Sequence, residues 1–401
     1  MTPPLIASPI AGPLQGLRVI ELAAIGPVPL CGMLLADLGA DVVRIDRLEP
    51  SGLGLPLPTR FDVNARGRRS VALNLKAPAG LAAAQRLVDT ADVLLEGFRP
   101  GVLEGLGLGP ADCLARNPKL VLGRMTGFGQ TGPLAPTAGH DLNYLALSGA
   151  LHAIGPAGGA PVPPLNLVAD YGGGALYLAF GVMAALFERQ RSGCGQVVDA
   201  AMVDGAASLA SIFYGLQAAG QWDGGRGENL LDGGAPFYAC YETADGQWVS
   251  VAPLEPKFFA EFARRIDLDS RFVQRQYDRK LWPEMRAAIA ATLKTKTRAE
   301  CVALFDGSDA CVAPVLSFSE AHLHGHAQAR EAFIELNGVT QPGPAPRFSR
   351  SAPPPPRPAP AVGQHTVAVL AQAGWAADEI DSLLAAGVAL QAAQAVEGTS
   401  A

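Results

Sequence analysis

The sequence is short of the features that mark several protein classes. Its six cysteines (Cys31, Cys113, Cys194, Cys240, Cys301, Cys311) include no CxxC pair and no histidine at zinc-finger spacing, so neither a disulfide frame nor a structural metal is indicated. Aromatic residues are 6% and charged residues 17% of 401 positions, while hydrophobic residues reach 49% and there are 46 glycines and 33 prolines. That hydrophobic content excludes disorder as the default. A net charge of −6 supplies no basic field for nucleic acid or an anionic membrane, so a bound anion must be held by a few local Arg or Lys residues. The most apolar run, Ala175–Phe187, is too short to span a bilayer and ends in Glu188 and Arg189, which predicts a buried core helix. MTPPLIASPI opens the chain without a basic n-region and Gly-Thr-Ser-Ala closes it without a peroxisomal address, so a cytoplasmic location is expected. GxGxxG, P-loop and GxSxG signatures are all missing; the first β-α turn reads Ala23-Ala24-Ile25-Gly26-Pro27-Val28-Pro29.

What is present is alternation. LRVIEL from Leu17, a helical stretch from Pro29 to Leu38 and then DVVRID make a β-α-β unit, and β-branched runs recur at Ser70–Leu75, Asp92–Gly97, Lys119–Met125 and Gln196–Met202. Strands alternating with Ala-Leu-rich helices predict an α/β fold with a mostly parallel sheet covered on both faces. The pattern changes after residue 205. The spacing predicts a first large domain over 1–205, a connecting stretch over 206–231 that holds the Gly224–Gly227 tract, a smaller α+β domain over 232–320, and a return segment over 321–401. In the smaller domain, Phe258, Phe259, Phe262 and Ile266 share one helix face, and Thr297-Arg298-Ala299-Glu300 is a capping box. The Pro-rich run Ser351–Val362 reads as extended surface chain, followed by a pair of helices over 364–386.

Three residues stand out chemically. His140, in Ala138-Gly139-His140-Asp141-Leu142-Asn143-Tyr144, sits at a helix start, where unpaired N–H groups can meet a developing oxyanion; a histidine that merely caps its helix is the bland alternative. Asp170, in Asn166-Leu167-Val168-Ala169-Asp170-Tyr171-Gly172-Gly173-Gly174, lies between an apolar run and glycines, which suits a desolvated, more basic carboxylate, or equally an N-cap for a helix beginning at the glycines. Glu255 precedes Pro256 at another helix start, where capping is again the simpler explanation. His322-Leu323-His324-Gly325-His326 lacks nearby cysteines or clustered acids, so no metal is expected there.

Ten blocks in order carry a resemblance: PLQGLRVIEL, LLADLGADVVRIDR, DVLLEGFRPGV, RMTGFGQTGPL, AGHDLNYLALSGAL, PPLNLVADYGGG, GQVVDAAMVDG, NLLDGGAPFY, SDACVAPVL and GQHTVAVL. From Leu14 to about Gly387 the chain resembles the α-methylacyl-CoA racemases, within the larger family that also contains the formyl-CoA and carnitine CoA-transferases. The resemblance implies a Rossmann-like large domain built from both chain ends, a small middle domain, and two subunits interlocked as a homodimer with a shared active site. It implies a 2-methylacyl-CoA substrate and no separate cofactor, coenzyme A being part of the substrate. His140 and Asp170 would be the two proton carriers, the partner's Glu255 would hydrogen-bond His140, and the backbone N–H of Asp141 would face the thioester oxygen. Coenzyme contacts would come from Arg47, from Leu73, Asn74, Leu75 and Lys76, from Gly97, Phe98 and Arg99, and from the loop Gly139, His140, Asp141, Leu142, Asn143 and Tyr144. Gly105 departs from the resemblance, since the racemases usually carry Arg or Lys there; one phosphate contact would then be missing, with weaker affinity for coenzyme A, or be supplied by Arg66, Arg68 or Arg69.

Chemically, a thioester α-proton is weakly acidic, so its removal needs a donor at the carbonyl oxygen and one group on each face of the carbon. Two rival readings use the same residues differently. In a CoA-transferase Asp141 would be the nucleophile that takes the acyl group. In a regulatory scaffold the fold would bind CoA without chemistry.

Overall fold

The computed structural model describes residues 12–392. MTPPLIASPI and the final Gly-Thr-Ser-Ala, on which the targeting expectations rest, lie outside the described residues. The chain forms two compact units, one from the described parts of Met1–Ser148, Leu165–Leu209 and Gln328–Ala401, the other from Gly149–Pro164 and Ala210–Ala327.

In the larger unit, the β-branched runs become strands β1 (Arg18–Leu22), β2 (Asp41–Asp46), β3 (Arg69–Leu73), β4 (Val93–Glu96), β5 (Val121–Thr126) and β6 (Val197–Ala201). They pair in parallel in the order β3-β2-β1-β4-β5-β6, and Ala389–Leu390 adds an antiparallel edge strand against β3. Every residue of β4 and β5 is buried, as strands covered on both faces must be. On one face Ile20, Leu22, Val43, Ile45, Val71 and Leu73 pack against Ala83, Leu87 and Val88 of helix Pro78–Asp89 and against Val369, Leu370, Ile380 and Leu383 of helices Thr366–Gln372 and Ala377–Ala385. Sheet and C-terminal helices therefore share one core, and each fully buried Leu or Ile side chain contributes roughly 1.5–3 kcal/mol. The chain runs outward from β1 to β3 and then returns to the centre with β4. This reversal makes the carboxyl ends of β1 and β4 the topological switch point, the place where open α/β sheets bind ligands.

The run expected to be a short buried helix is different. Leu167–Leu176 forms a π-helix that continues directly into the α-helix Tyr177–Ser192, giving 26 residues that are long and apolar enough to cross a membrane by length and composition. Leu178, Val182, Ala185 and Leu186 are buried, and Leu178 and Val182 face Gly123 of β5. Leu176, Phe180, Met183 and Phe187, spaced 4, 3 and 4 apart, form an exposed apolar stripe. The burial expected for this run holds for only one side of it.

Two boundaries also differ from those expected at 205 and 231. Ala206–Leu209 complete the helix Met202–Leu209, and Ser211–Ala218 is a further helix with Gly215 inside it, so helical structure extends into the stretch expected to be connecting chain. Gly149–Pro164 joins the smaller unit, where Arg226 donates to the His152 carbonyl at 2.7 Å and to the Gly159 carbonyl.

The smaller unit has a three-stranded antiparallel sheet of Ala239–Glu242, Trp248–Val251 and Val312–Pro314. Helix Pro256–Arg265 buries Phe259 and Phe262, and Phe262 stacks on Phe305 with ring centroids 5.5 Å apart. The capping box forms as its sequence predicts: Thr297 N–H donates to Glu300 at 2.8 Å and Glu300 N–H donates to Thr297 Oγ1 at 3.2 Å. Residues 351–360 have no regular structure, although Arg357 accepts from Gly67 N–H at 2.8 Å and so ties the Pro-rich run to the larger unit.

Candidate functional site

Beyond β5 the chain turns through Gly127 and Phe128 and reaches helix Asp141–Leu147, whose N-cap is His140 in an extended conformation. Gly139 has to be glycine, because a Cβ there would lie 2.7 Å from the Tyr144 ring, and that ring packs edge-on against Phe128 at 5.0 Å. Tyr144 donates its hydroxyl proton to the Gly139 carbonyl, His140 N–H donates to Asn143 Oδ1 at 3.1 Å, and Asn143 N–H donates to the His140 carbonyl at 2.8 Å. The peptide carrying His140 is held on both sides while its side chain is exposed. His140 is thus both cap and accessible imidazole, and the two readings of it do not exclude one another. No described residue accepts from the Asp141 N–H, as befits the first residue of a helix.

Asp141 itself is buried, at 6% exposure. Its Oδ1 accepts from the N–H groups of Ala169 at 2.9 Å and Asp170 at 2.7 Å, and its Oδ2 is buried with no partner among the described residues. Asp170 does not cap a helix that begins at the glycines. It lies inside the π-helix that starts at Leu167, with Asn166 at the N-cap. The glycines serve packing instead: a Cβ on Gly205 would sit 1.9 Å from the Gly173 carbonyl oxygen, so the π-helix and helix Met202–Leu209 touch backbone to backbone. Wide i→i+5 turns of this kind concentrate at functional positions.

Burial pushes the Asp170 carboxyl above the usual aspartate range; a long hydrogen bond from Asn166 Nδ2, 3.4 Å away, opposes the rise, the Asp141 charge adds to it, and His140 opposes it. Tyr144 is pushed up to about 12, first by burial and then by Asp170. His140, Asp141, Tyr144 and Asp170 therefore act on one another electrostatically, and Arg99 reaches the same group through Tyr144. Gly26 borders it too, since a Cβ there would lie 3.6 Å from Asp170 Oδ2.

The loop Gly97-Phe98-Arg99 follows β4 directly. Glu96 accepts from Phe98 N–H at 2.7 Å and from Arg124 Nε at 2.7 Å, and Arg124 also grips Glu104 at 2.8 Å and 3.2 Å. Sequence reasoning missed this clamp, although Arg124, a charge inside the apolar run KLVLGRM, is the signal that could have exposed it. It missed Asn166 as well, which the four-residue spacing to Asp170 on a helix could have suggested.

The other candidate coenzyme contacts divide clearly. Arg47, just past β2, and Lys76, past β3, are exposed. Leu73 is 2% exposed and Leu75 packs on the same core, so their side chains face the protein interior; Asn74 Oδ1 accepts from Lys76 N–H at 3.1 Å and shapes that turn. Leu142 and Asn143 are exposed on helix Asp141–Leu147. Gly105 is exposed with open space where a side chain would project. The three arginines expected to compensate for it are committed elsewhere. Arg66 pairs with Asp37 at 2.6 Å and Arg68 with Glu21 at 2.7 Å, all four side chains buried, while Arg69 pairs with Asp41 at 2.6 Å and also donates to Gln372 at 2.6 Å. None of the three has a free guanidinium to offer a phosphate. Glu255, exposed, precedes helix Pro256–Arg265 in the smaller unit.

A parallel sheet whose carboxyl ends carry an exposed histidine, a basic aspartate and several exposed cations defines an α/β enzyme-like site for an anionic ligand. Residues 14–366 match CoA-transferase family III, and the chain belongs to that family. It is 48% identical over 369 residues to the alpha-methylacyl-CoA racemase of Mus musculus, covering 92% of this chain and 95% of that one. To the alpha-methylacyl-CoA racemase of Homo sapiens it is 46% identical over 375 residues, covering 92% of this chain and 96% of that one. Among solved structures it resembles a CAIB/BAIF family protein from Brucella suis with a TM-score of 0.79 at 26% identity, covering 90% of this chain and all of that one.

Proposed function

We propose that the chain is an α-methylacyl-CoA racemase that interconverts (R)- and (S)-2-methylacyl-CoA. The single observation that carries this reading is the tie from Asp141 Oδ1 to the Asp170 N–H, because it joins an exposed histidine and a half-buried carboxylate of raised basicity to one support. Either group takes the α-proton from its own face. The electron pair moves onto the thioester oxygen as an enolate, met by the Asp141 N–H, and the opposite group returns a proton to the other face. No separate cofactor enters, since only a proton moves and coenzyme A is part of the substrate. Arg47, Lys76 and Arg99 are the exposed cations for its phosphates.

The strand order β3-β2-β1-β4-β5-β6 supports a Rossmann-like description of the larger unit. The stripe Leu176, Phe180, Met183, Phe187 supports a homodimer, because an uncovered apolar face of a sheet-packed helix asks for a protein partner rather than a nucleic acid or a bilayer. In that dimer the partner's Glu255 would orient His140, giving an interlocked, shared active site. Six cysteines without a disulfide support a reducing, cytoplasmic setting.

The family description favours a second reading, acyl transfer through Asp141. The committed Asp141 Oδ1 speaks for the first. Incubating a 2-methylacyl-CoA in heavy water without any acceptor acid tests the choice: deuterium at the α position is expected, and acyl exchange strictly dependent on a second carboxylic acid, with no α-deuterium, overturns it.

A further inference from the structure

We propose that the Asp141 carboxylate is a positioning residue that yokes the two proton carriers, holding Asp170 by its backbone while its own peptide continues directly into His140. This inference rests on the racemase reading and adds a role for the side chain to that of the Asp141 N–H. One carboxylate oxygen accepts from two successive N–H groups, those of Ala169 at 2.9 Å and Asp170 at 2.7 Å. Both belong to the first turn of the π-helix, which begins at Leu167, and the first-turn N–H groups of a helix have no partners of their own. A charged acceptor makes stronger hydrogen bonds than a neutral one, so the tie fixes where the Asp170 backbone stands relative to helix Asp141–Leu147. The two carriers are 30 positions apart in sequence, and this side chain is the short link between them.

The same geometry disfavours Asp141 as a nucleophile. To attack a thioester carbon, a carboxylate oxygen must be presented at the surface of the site. Here the side chain is buried, and withdrawing it would strand the Ala169 and Asp170 donors, which are unfavourable to leave unpaired. An amide at this position keeps an oxygen that can accept from both N–H groups and loses the nucleophile altogether. That difference separates the two roles.

The experiment compares Asp141→Asn with Asp141→Ala in the full-length protein by amide hydrogen exchange at Ala169 and Asp170 and by α-deuteration of each 2-methylacyl-CoA enantiomer in heavy water. Asp141→Asn should keep both amides protected and should slow α-exchange of both enantiomers only modestly and by a similar factor, since a neutral amide oxygen accepts more weakly than a carboxylate. Asp141→Ala should lose both protections, and exchange from the enantiomer that faces Asp170 should fall on the order of a hundredfold further than from the other. If Asp141→Ala does not fold, Asp141→Ser, a shorter acceptor, takes its place with intermediate values expected. A silent Asp141→Asn with its amides still protected overturns the proposal, as does equal loss for both enantiomers in Asp141→Ala. Absence of α-exchange in the unmodified protein sinks the racemase reading instead, and the amide protections still report whether the tie exists.

Discussion

Among the carboxylates of the larger unit that burial pushes upward, Glu21 at the centre of the sheet and Asp170 at its carboxyl edge have surroundings that differ in kind. Glu21 is fully buried and answered by Arg68, also fully buried, at 2.7 Å; Arg68 donates further to the carbonyls of Asn64 and Pro29. Asp170 is half-buried and answered by the neutral Asn166 amide at 3.4 Å and by His140. A guanidinium cannot give up its proton, so the pair at the sheet centre is fixed in one charge state and can only hold structure. The carboxylate at the edge has partners that leave its proton free to move. Permanence of the partner, rather than the upward shift itself, separates a structural acid from a candidate proton carrier.

Breaking that contrast at its structural side gives the largest expected effect. Arg68→Met removes the only described cation hydrogen-bonded to Glu21 and leaves a carboxyl group alone in the core, beside an Oε1 already without a partner among the described residues. A loss of roughly 3–5 kcal/mol in denaturant unfolding is expected, with much of it recovered when Glu21→Gln is added. A loss below about 1 kcal/mol, the worth of an exposed pair, would show that the Arg68–Glu21 pair carries no burial penalty.

Breaking it at its chemical side should spare the fold. Asp170→Asn removes the charge but keeps the backbone N–H that Asp141 holds, so unfolding should be nearly unchanged while net racemisation falls on the order of 10²–10⁴-fold. Exchange from the enantiomer facing His140 should survive, and exchange from both should not be lost equally. Its pH behaviour sharpens the point. The folded-state value lies above the 3.8 of a free aspartate, so between 3.8 and the raised value the folded protein holds more protons than the unfolded chain, and this group's contribution to stability is present below 3.8 and falls as pH rises through that window. Acting as base, Asp170 must be ionised, so α-exchange from its own enantiomer should climb with pH through the same window; a rate limb centred at or below 3.8 would contradict the burial described here.

A smaller effect is expected from mixing subunits. In the proposed shared-site homodimer, combining inactive His140→Ala and Glu255→Ala chains should restore about a quarter of full activity, because half of statistically mixed dimers would be hetero and each would have one intact site. No recovery after verified subunit exchange would place Glu255 with the His140 of its own chain.

Much of this contrast was legible in the sequence at its ends and not in its middle. DVVRID and KLVLGRM read as buried strands because a covered parallel strand must be apolar on both faces, and Thr297 with Glu300 announced a helix because both cap partners lie within four residues. Arg68 and Glu21 are 47 positions apart, and nothing local in Arg66-Gly67-Arg68-Arg69 told committed arginines from phosphate-binding ones. The π-helix was hidden for a different reason. Gly172, Gly173 and Gly174 signal a break when read locally, whereas in the fold Gly173 makes a close backbone approach to Gly205 and its two neighbours pack against Leu209 and Met202, partners that only tertiary packing reveals.

The mildest change concerns the coenzyme rather than the carriers. With Arg66, Arg68 and Arg69 all paired, none of these three replaces the Arg or Lys that the family resemblance leads one to expect at Gly105. Gly105 closes the short helix Val102–Gly105 and is exposed, and a side chain built there meets nothing within 4 Å. Gly105→Arg therefore adds a cation without a steric obstacle, and as an arginine in place of glycine it also raises helix propensity. One exposed charge-assisted contact to a phosphate contributes about 1 kcal/mol, so KM for an acyl-CoA should fall roughly fivefold at low salt with kcat unchanged. Added salt should erase most of the gain. If KM stays put at low salt, the coenzyme does not pass Gly105 and the phosphate assignment fails; if kcat moves with it, the added charge has reached the proton carriers.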